Sequence, residues 1–246
     1  NREQVKVALQ QVQDTSPLKR KIAINGFGRI GRLFFRTAIS NPNIEIVAVN
    51  DLGNLENLAY LLKYDTVYGR YDKEVKMEGG NLVVGGKAVK CFQEKDPAKL
   101  PWKDLGVDVA IEATGFFESY EQAKAHLDAG AKRVVITAPA KDEDGELGKT
   151  CLVGVNEEMM REVKITSNGS CTTNAASPVV AVLSEKLGIE KAILNTTHAL
   201  TTMQAIVDGP TKGRSFRYGR AGGFNIIPSP TGSAIAVGRA VKSVQG

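Results

Sequence analysis

The strongest constraint on what this chain can fold into is a glycine pattern in a particular setting. Gly26, Gly28 and Gly31, as Gly26-Phe27-Gly28-Arg29-Ile30-Gly31, follow the apolar run at residues 22–24 and open the helical periodicity of residues 29–40. A second β-branched run follows at residues 44–50, so the segment reads as a βαβ unit. In such a unit the first glycine permits a tight turn, the second lets a pyrophosphate approach the backbone, and the third allows close helix packing. The helix start presents unpaired N–H groups and a positive dipole end to the phosphates. Asp51 stands twenty residues beyond Gly31, where a carboxylate accepts hydrogen bonds from ribose hydroxyls. A 2′-phosphate would meet that charge unfavourably, so NAD is expected rather than NADP, with Gly53 leaving room for some NADP tolerance.

The alternation continues. A helix is expected over residues 55–63, and then short antiparallel strands at 74–77, 82–84 and 88–92, separated by Gly79-Gly80 and Gly85-Gly86. Further strands are expected at 107–112, 133–137, 152–155 and 164–167, with a helix over 118–129. This is the pattern of an α/β fold with a Rossmann-type doubly wound parallel sheet, here over residues 21–170. Residues 171–246 read as part of an α+β catalytic domain, with a helix at 171–187 containing Pro178, a long strand at 189–199, and a helix at 231–241. That strand has no obvious neighbours within the sequence. Residues 1–20 read as an extension with one short helix, whose apolar face is Val5, Ala8, Leu9 and Val12.

Composition narrows the class. In 246 residues, 42% are hydrophobic and no window reaches the length of a membrane span, so a soluble protein with a real core is expected. The net charge is +5, but residues 209–246 hold six Lys or Arg and no acid, leaving the remainder one short of neutral. A local patch without stacking aromatics suits phosphate on a small molecule better than nucleic acid. Three cysteines and two histidines at no ligand spacing point away from a disulfide scaffold and from a metal site.

Cys171 lies in Ser167-Asn168-Gly169-Ser170-Cys171-Thr172-Thr173-Asn174, at the start of a predicted helix. Buried structural cysteines are common, yet polar neighbours and a helix N-terminus favour a thiolate here and could supply an oxyanion hole. Cys91 and Cys151 lie among apolar strand residues and read as structural. A thiolate nucleophile needs a base, and His198 ends the predicted long strand among hydroxyl-bearing residues. His126 is expected on a surface helix with no such company.

These residues carry a resemblance. The motifs NGFGRIG at 25–31, SCTTN at 170–174, His198-Ala199, Val207-Asp208-Gly209-Pro210, and NIIPSPTG at 225–232 are similar, in order and spacing, to those of phosphorylating glyceraldehyde-3-phosphate dehydrogenases. The likeness runs from about Lys21 to the last residue.

The resemblance implies reversible, NAD-dependent oxidation and phosphorylation of D-glyceraldehyde 3-phosphate to 1,3-bisphosphoglycerate, as in glycolysis and gluconeogenesis. Cys171 matches the nucleophile that forms a thiohemiacetal and then a thioester, and His198 matches its base. Gly26, Phe27, Gly28, Arg29, Ile30 and Asp51 match cofactor contacts, as do Thr114, Gly115 and Thr137. Lys95 matches a cofactor position where many members carry arginine, and an ammonium loses the bidentate fork. Ser170, Thr172, Thr231 and Gly232 match the site for inorganic phosphate. Thr201 and the pair Arg217 and Arg220 match the region that holds the substrate's own phosphate, with the choice between the two arginines open. Family members form homotetramers, and residues 208–228 resemble the loop that reaches a neighbouring subunit's cofactor. The expected compartment is the cytoplasm, with a plastid as alternative. Members also continue well past Gly246, so the sequence is expected to be a fragment or part of a longer chain, with little activity alone. Competing readings are an erythrose-4-phosphate dehydrogenase, which hydrolyses its thioester, and a non-catalytic NAD-binding fragment.

Overall fold

The computed structural model describes residues 19–211 and 215–244. The expected helix of the extension, with Val5, Ala8, Leu9 and Val12, and the cations Lys212 and Arg214 lie outside the described residues. Contacts divide the chain into two compact units, Asn1–Ser170 and Cys171–Gly246.

In the first unit the βαβ segment forms as its periodicity requires. Strand β1 (Arg20–Asn25) leads through the glycine turn to helix α1 (Arg29–Ala38), which returns to strand β2 (Ile44–Asn50). Helix α1 buries Gly31, Phe35 and Ala38, spaced four and three apart on one face. Phe35 meets Phe27 edge to face with ring centroids 5.5 Å apart. Helix α2 (Leu55–Lys63) starts at Asn54, whose side chain accepts from the Asn57 N–H at 2.9 Å.

Two short strands, β3 (Tyr64–Asp65) and β4 (Gly69–Arg70), pair with each other. The expected glycine-turn strands follow as β5 (Val75–Glu78), β6 (Asn81–Val84) and β7 (Lys87–Phe92), with positive φ at Gly79, Gly80, Gly85 and Gly86. The chain then passes through α3 (Trp102–Leu105), β8 (Val109–Glu112), α4 (Tyr120–Ala123), α5 (Ala125–Asp128), β9 (Arg133–Ile136), β10 (Gly148–Thr150) and β11 (Ile165–Ser167). Among the described residues these build a nine-stranded sheet ordered β10-β11-β9-β8-β1-β2-β7-β6-β5. All pairings from β10 to β7 are parallel, and β7-β6-β5 is an antiparallel edge. Strand order reverses between β1 and β8, and ligands of such sheets bind at the carboxyl ends of the strands beside that reversal.

Three expectations are corrected here. The helix expected over 118–129 is two short ones, because the Lys124 carbonyl accepts from both Leu127 and Asp128 and tightens the chain at that point. The strand expected at 152–155 is a turn, and the strand itself lies earlier, at Gly148–Thr150. Buried Asn156 reaches back to make that turn: it accepts from Leu152 N–H at 2.8 Å and donates to the Thr150 carbonyl at 2.9 Å, while Gly154 takes φ +76°.

The third correction is in the second unit. Its helices are α6 (Cys171–Lys186), with Pro178 inside, and α7 (Ser233–Ala240). Residues 189–199, expected as a long strand, have no regular secondary structure. A strand needs a partner for its N–H and C=O groups, and the second unit contains no other strand among the described residues.

Gly31 provides a clean packing test, since a Cβ there would collide with the Gly26 carbonyl, whereas one at Gly28 would meet nothing within 4 Å. Gly31→Ala is expected to lose about 1–3 kcal/mol of stability. Gly28→Ala is expected to stay within about 1 kcal/mol of the unsubstituted chain, both read from denaturant midpoints.

Candidate functional site

The first unit carries a cradle at the carboxyl ends of β1, β2 and β8. Gly26 holds φ +92°, and a Cβ on it would lie 2.5 Å from Ala113 C and Thr114 N, so only glycine lets the β1 and β8 loops pass this close. The open space at Gly28 is what an approaching phosphate requires, and α1 begins there without a side-chain cap on its N–H groups. Asp51, just past β2, accepts from the Phe27 N–H at 2.6 Å on one oxygen and from the Gly53 N–H at 2.8 Å on the other. It thereby braces the glycine turn, and each oxygen retains capacity for a ribose hydroxyl. An open glycine, a free helix start and a carboxylate at the neighbouring strand end fit a dinucleotide.

Other predicted contacts are placed less directly. The Phe27 ring is buried in the core, so only its backbone is available to a ligand. Ile30 is exposed, and the Arg29 guanidinium is committed to Asp65 at 2.9 Å. Lys95 is exposed in the loop before Pro97. Gly115 is exposed with φ +73°. Thr137 donates through its N–H and its hydroxyl to the Glu112 carbonyl, at 2.9 and 3.1 Å.

Thr114 turns inward as well: its N–H donates to Glu112 Oε1 at 2.8 Å, and its hydroxyl donates to the same oxygen. Glu112 was absent from the expected site, and His126 was expected on a surface helix. That expectation is corrected, because His126 is fully buried. Its Nε2 lies 3.0 Å from Glu112 Oε2, and its Nδ1 accepts from the Trp102 indole N–H at 3.0 Å. Helix α5 is only four residues long, too short for an amphipathic pattern to show which side faces inward. The available signal was a glutamate ending an otherwise apolar strand, a position where a buried acid needs partners.

In the second unit, Cys171 is the first residue of α6 and is exposed. Its Sγ lies 3.1 Å from His198 Nε2. His198 Nδ1 lies 2.6 Å from the Ala199 carbonyl oxygen, an acceptor, so Nδ1 carries the proton and Nε2 turns its lone pair to the thiol. His198 holds the Cys171 thiol below the ordinary range, aided by the backbone N–H and hydroxyl of Thr172. The Ala199 carbonyl, then Cys171 itself, raises the imidazole. Thiolate and imidazolium thus favour one another. Burial does the opposite elsewhere: Cys91 is pushed up, and Cys151 is pushed up to about 11.

The structure brings Cys171, Thr172 and His198 together. Among the remaining predicted residues, Thr201, Arg220 and Thr231 are engaged with other partners. Thr201 donates from its N–H and hydroxyl to Gln204 Oε1 at 2.7 and 2.9 Å. Arg220 binds Asp208 at 3.1 Å, while exposed Arg217 makes no ion pair among the described residues. Thr231 donates to Ser233 at 2.9 Å, and Gly232 stands at the N-terminus of α7. Ser170 directly precedes Cys171. Among the described residues there is no group of His, Cys, Asp and Glu able to hold a metal, and no helix long and apolar enough to cross a membrane.

Residues 20–120 match the family described as Glyceraldehyde 3-phosphate dehydrogenase, NAD binding domain, and residues 170–246 match Glyceraldehyde 3-phosphate dehydrogenase, C-terminal domain. The chain is 48% identical over 226 residues to glyceraldehyde-3-phosphate dehydrogenase 1 of Kluyveromyces marxianus, covering 92% of this chain and 67% of that protein. It is 46% identical over 230 residues to glyceraldehyde-3-phosphate dehydrogenase 1 of Trichormus variabilis, covering 93% and 66%. With glyceraldehyde-3-phosphate dehydrogenase 1 of Bacillus subtilis the identity is 47% over 228 residues, covering 92% and 66%. The chain thus spans about two thirds of the length of these relatives. A dinucleotide cradle in one unit and a cysteine–histidine pair in the other, at these levels of identity, place the chain in the glyceraldehyde-3-phosphate dehydrogenase family, with that family's NAD-binding domain followed by part of its C-terminal domain.

Proposed function

We propose that this chain carries the chemistry of a phosphorylating aldehyde dehydrogenase acting on glyceraldehyde 3-phosphate, with NAD as cofactor and inorganic phosphate as second substrate. The observation that supports this best is the 3.1 Å approach of Cys171 Sγ to His198 Nε2 at the start of a helix. The Cys171 thiolate attacks the aldehyde carbon, a C–S bond forms, and the carbonyl electron pair moves to oxygen, which takes a proton to give a thiohemiacetal. Bound NAD supplies an acceptor for the hydride lost from that carbon. His198 Nε2 removes the hydroxyl proton as the carbonyl re-forms, leaving a thioester on Cys171. Inorganic phosphate then attacks the thioester carbon, the C–S bond breaks, and thiolate and acyl phosphate separate.

Two anions must be held near this pair. Ser170, Thr172, Thr231 and Gly232 are the proposed site for inorganic phosphate. Thr201 with Arg217 or Arg220 is proposed to hold the substrate's phosphate, and Arg217, whose guanidinium is not paired with Asp208, is the better placed of the two to accept a new anion. Gly26, Phe27, Gly28, Arg29, Ile30, Asp51, Lys95, Thr114, Gly115 and Thr137 are the proposed cofactor contacts. A homo-oligomer in the cytoplasm completes the proposal.

Two experiments test it. Iodoacetamide at neutral pH is expected to label Cys171 ahead of Cys91 and Cys151, and His198→Asn is expected to slow that labelling by about tenfold or more. Because the Cys171 thiol is lowered, its reactivity persists below the ordinary thiol range and is lost as pH falls through the lowered value; His198→Asn moves the inflection upward. Equal reactivity of all three thiols overturns the catalytic reading. In turnover assays, formation of reduced nicotinamide from glyceraldehyde 3-phosphate is expected to require inorganic phosphate and to fall by roughly a thousandfold or more in Cys171→Ser. Sustained turnover without phosphate would assign thioester hydrolysis, the chemistry of an erythrose-4-phosphate dehydrogenase, instead.

A further inference from the structure

The last residues of three adjacent strands form one buried polar row. Asn50 ends β2, Asn25 ends β1 and Glu112 ends β8, and they are paired in register, Asn25 with Asn50 and Asn25 with Glu112. All three are buried. Asn50 Nδ2 donates to Asn25 Oδ1 at 2.7 Å, and Asn25 Nδ2 donates to Glu112 Oε2 at 2.6 Å. Beyond Glu112 the row continues to His126 and ends at the Trp102 indole N–H.

The direction of these bonds is fixed from both ends. At one end the Asn50 amide cannot flip, because its Nδ2 donates to the Glu94 carbonyl at 2.8 Å while its Oδ1 accepts from the Glu94 N–H at 2.8 Å. That forces Asn25 to present its oxygen to Asn50 and its N–H to Glu112. At the other end an indole N–H can only donate, so His126 Nδ1 is the acceptor and the proton of the neutral ring sits on Nε2, aimed at Glu112. Asn25 Nδ2 and His126 Nε2, 3.4 Å apart, are two donors side by side on one carboxylate oxygen. The other oxygen takes both donors of Thr114. Four donors converge, and only a group that accepts on every side satisfies them.

Each member of the row sits next to a loop that the proposed function gives to the cofactor. Asn25 precedes Gly26, Asn50 precedes Asp51, and Glu112 holds Thr114. The Thr114 hydroxyl also accepts from the Phe116 N–H at 3.0 Å, so its donor is held by Glu112 and its position is fixed, while its remaining lone pair stays available to the cofactor. We propose that Glu112 is a positioning residue for NAD binding: the row Asn50–Asn25–Glu112, oriented by Glu94 and by Trp102 through His126, sets the relative placement of the three cofactor loops, and Thr114 serves as its strut. This rests on the cofactor reading above and adds Asn25, Asn50, Glu112 and His126, which hold the contact residues rather than touching the ligand.

The test is the calorimetric Kd for NAD of the whole chain with and without substitutions, alongside its thermal melt without NAD and the alkylation rate of Cys171. Glu112→Gln replaces one acceptor by an NH₂ that must face donors on either side. It is expected to raise the Kd for NAD at least tenfold, while a cooperative melt and an unchanged Cys171 alkylation rate show that both units stay folded. Adding Trp102→Phe to Glu112→Gln frees His126 to move its proton to Nδ1 and accept from the new amide, so the double variant is expected to bind NAD more tightly than Glu112→Gln alone. A merely structural role predicts the reverse, since the second change also removes core volume. Folded Glu112→Gln that binds NAD as the unsubstituted chain does overturns the proposal. If Glu112→Gln does not melt cooperatively, Trp102→Phe alone decides: an increase in Kd of at least twofold supports the row, and an unchanged Kd overturns it. Failure of the unsubstituted chain to bind NAD at all overturns the cofactor reading together with this one.

Discussion

Parallel pairing of β1 with β2 on one side and β8 on the other is the constraint on which the first unit depends. It brings three strand ends into a row, and the chain reverses its direction of addition there, opening the crevice that α/β sheets use for ligands. The same pairing takes Asn50, Asn25 and Glu112 out of water, directly behind the apolar residues Val49, Ile24 and Ile111. Buried polar groups are costly when unpaired and rigid when every donor finds its acceptor, so the sheet and the polar row stabilise each other. Gly26 belongs to the same arrangement, since its missing side chain is what allows the β1 turn to lie against Ala113 and Thr114.

The second unit organises its chemistry differently. Its cysteine–histidine pair is exposed: His198 first and then Thr172 lower the thiol, and the Ala199 carbonyl first and then Cys171 raise the imidazole. Proximity between residues 171 and 198 is the long-range element of this pair. The three cysteines show how much environment decides, because burial raises Cys91 and Cys151 while a histidine and local donors lower Cys171. Ile193 is almost fully exposed, in a segment at 189–199 that pairs with no strand among the described residues.

Much of this was legible in the residues. The spacing of Gly26, Gly28 and Gly31 with Asp51 located the cradle, since each glycine answers a local backbone demand. The strands around Gly79-Gly80 and Gly85-Gly86 appeared where turn chemistry places them. Cys171 at a helix start was legible from Ser170 and Thr172 beside it. His126 was not, because a histidine in a four-residue helix carries no periodic signal, and the groups around its ring, from Trp102, Glu112 and Asn25, come from separate elements. The β-branched residues at 152–155 fit a strand or a turn equally, and the deciding bonds come from Asn156.

The sequence by itself determined the local alternatives: which segments favour strand or helix, where the backbone needs glycine, and which sulfur can be activated. These follow from sterics and hydrogen bonding over a few residues. Only the tertiary structure decided which distant groups meet, and therefore whether Glu112 is an ordinary strand-end acid or the acceptor for four donors, and whether His198 lies against Cys171. Such meetings depend on sheet register and on packing between segments far apart in the chain, and no short stretch of residues encodes either one alone.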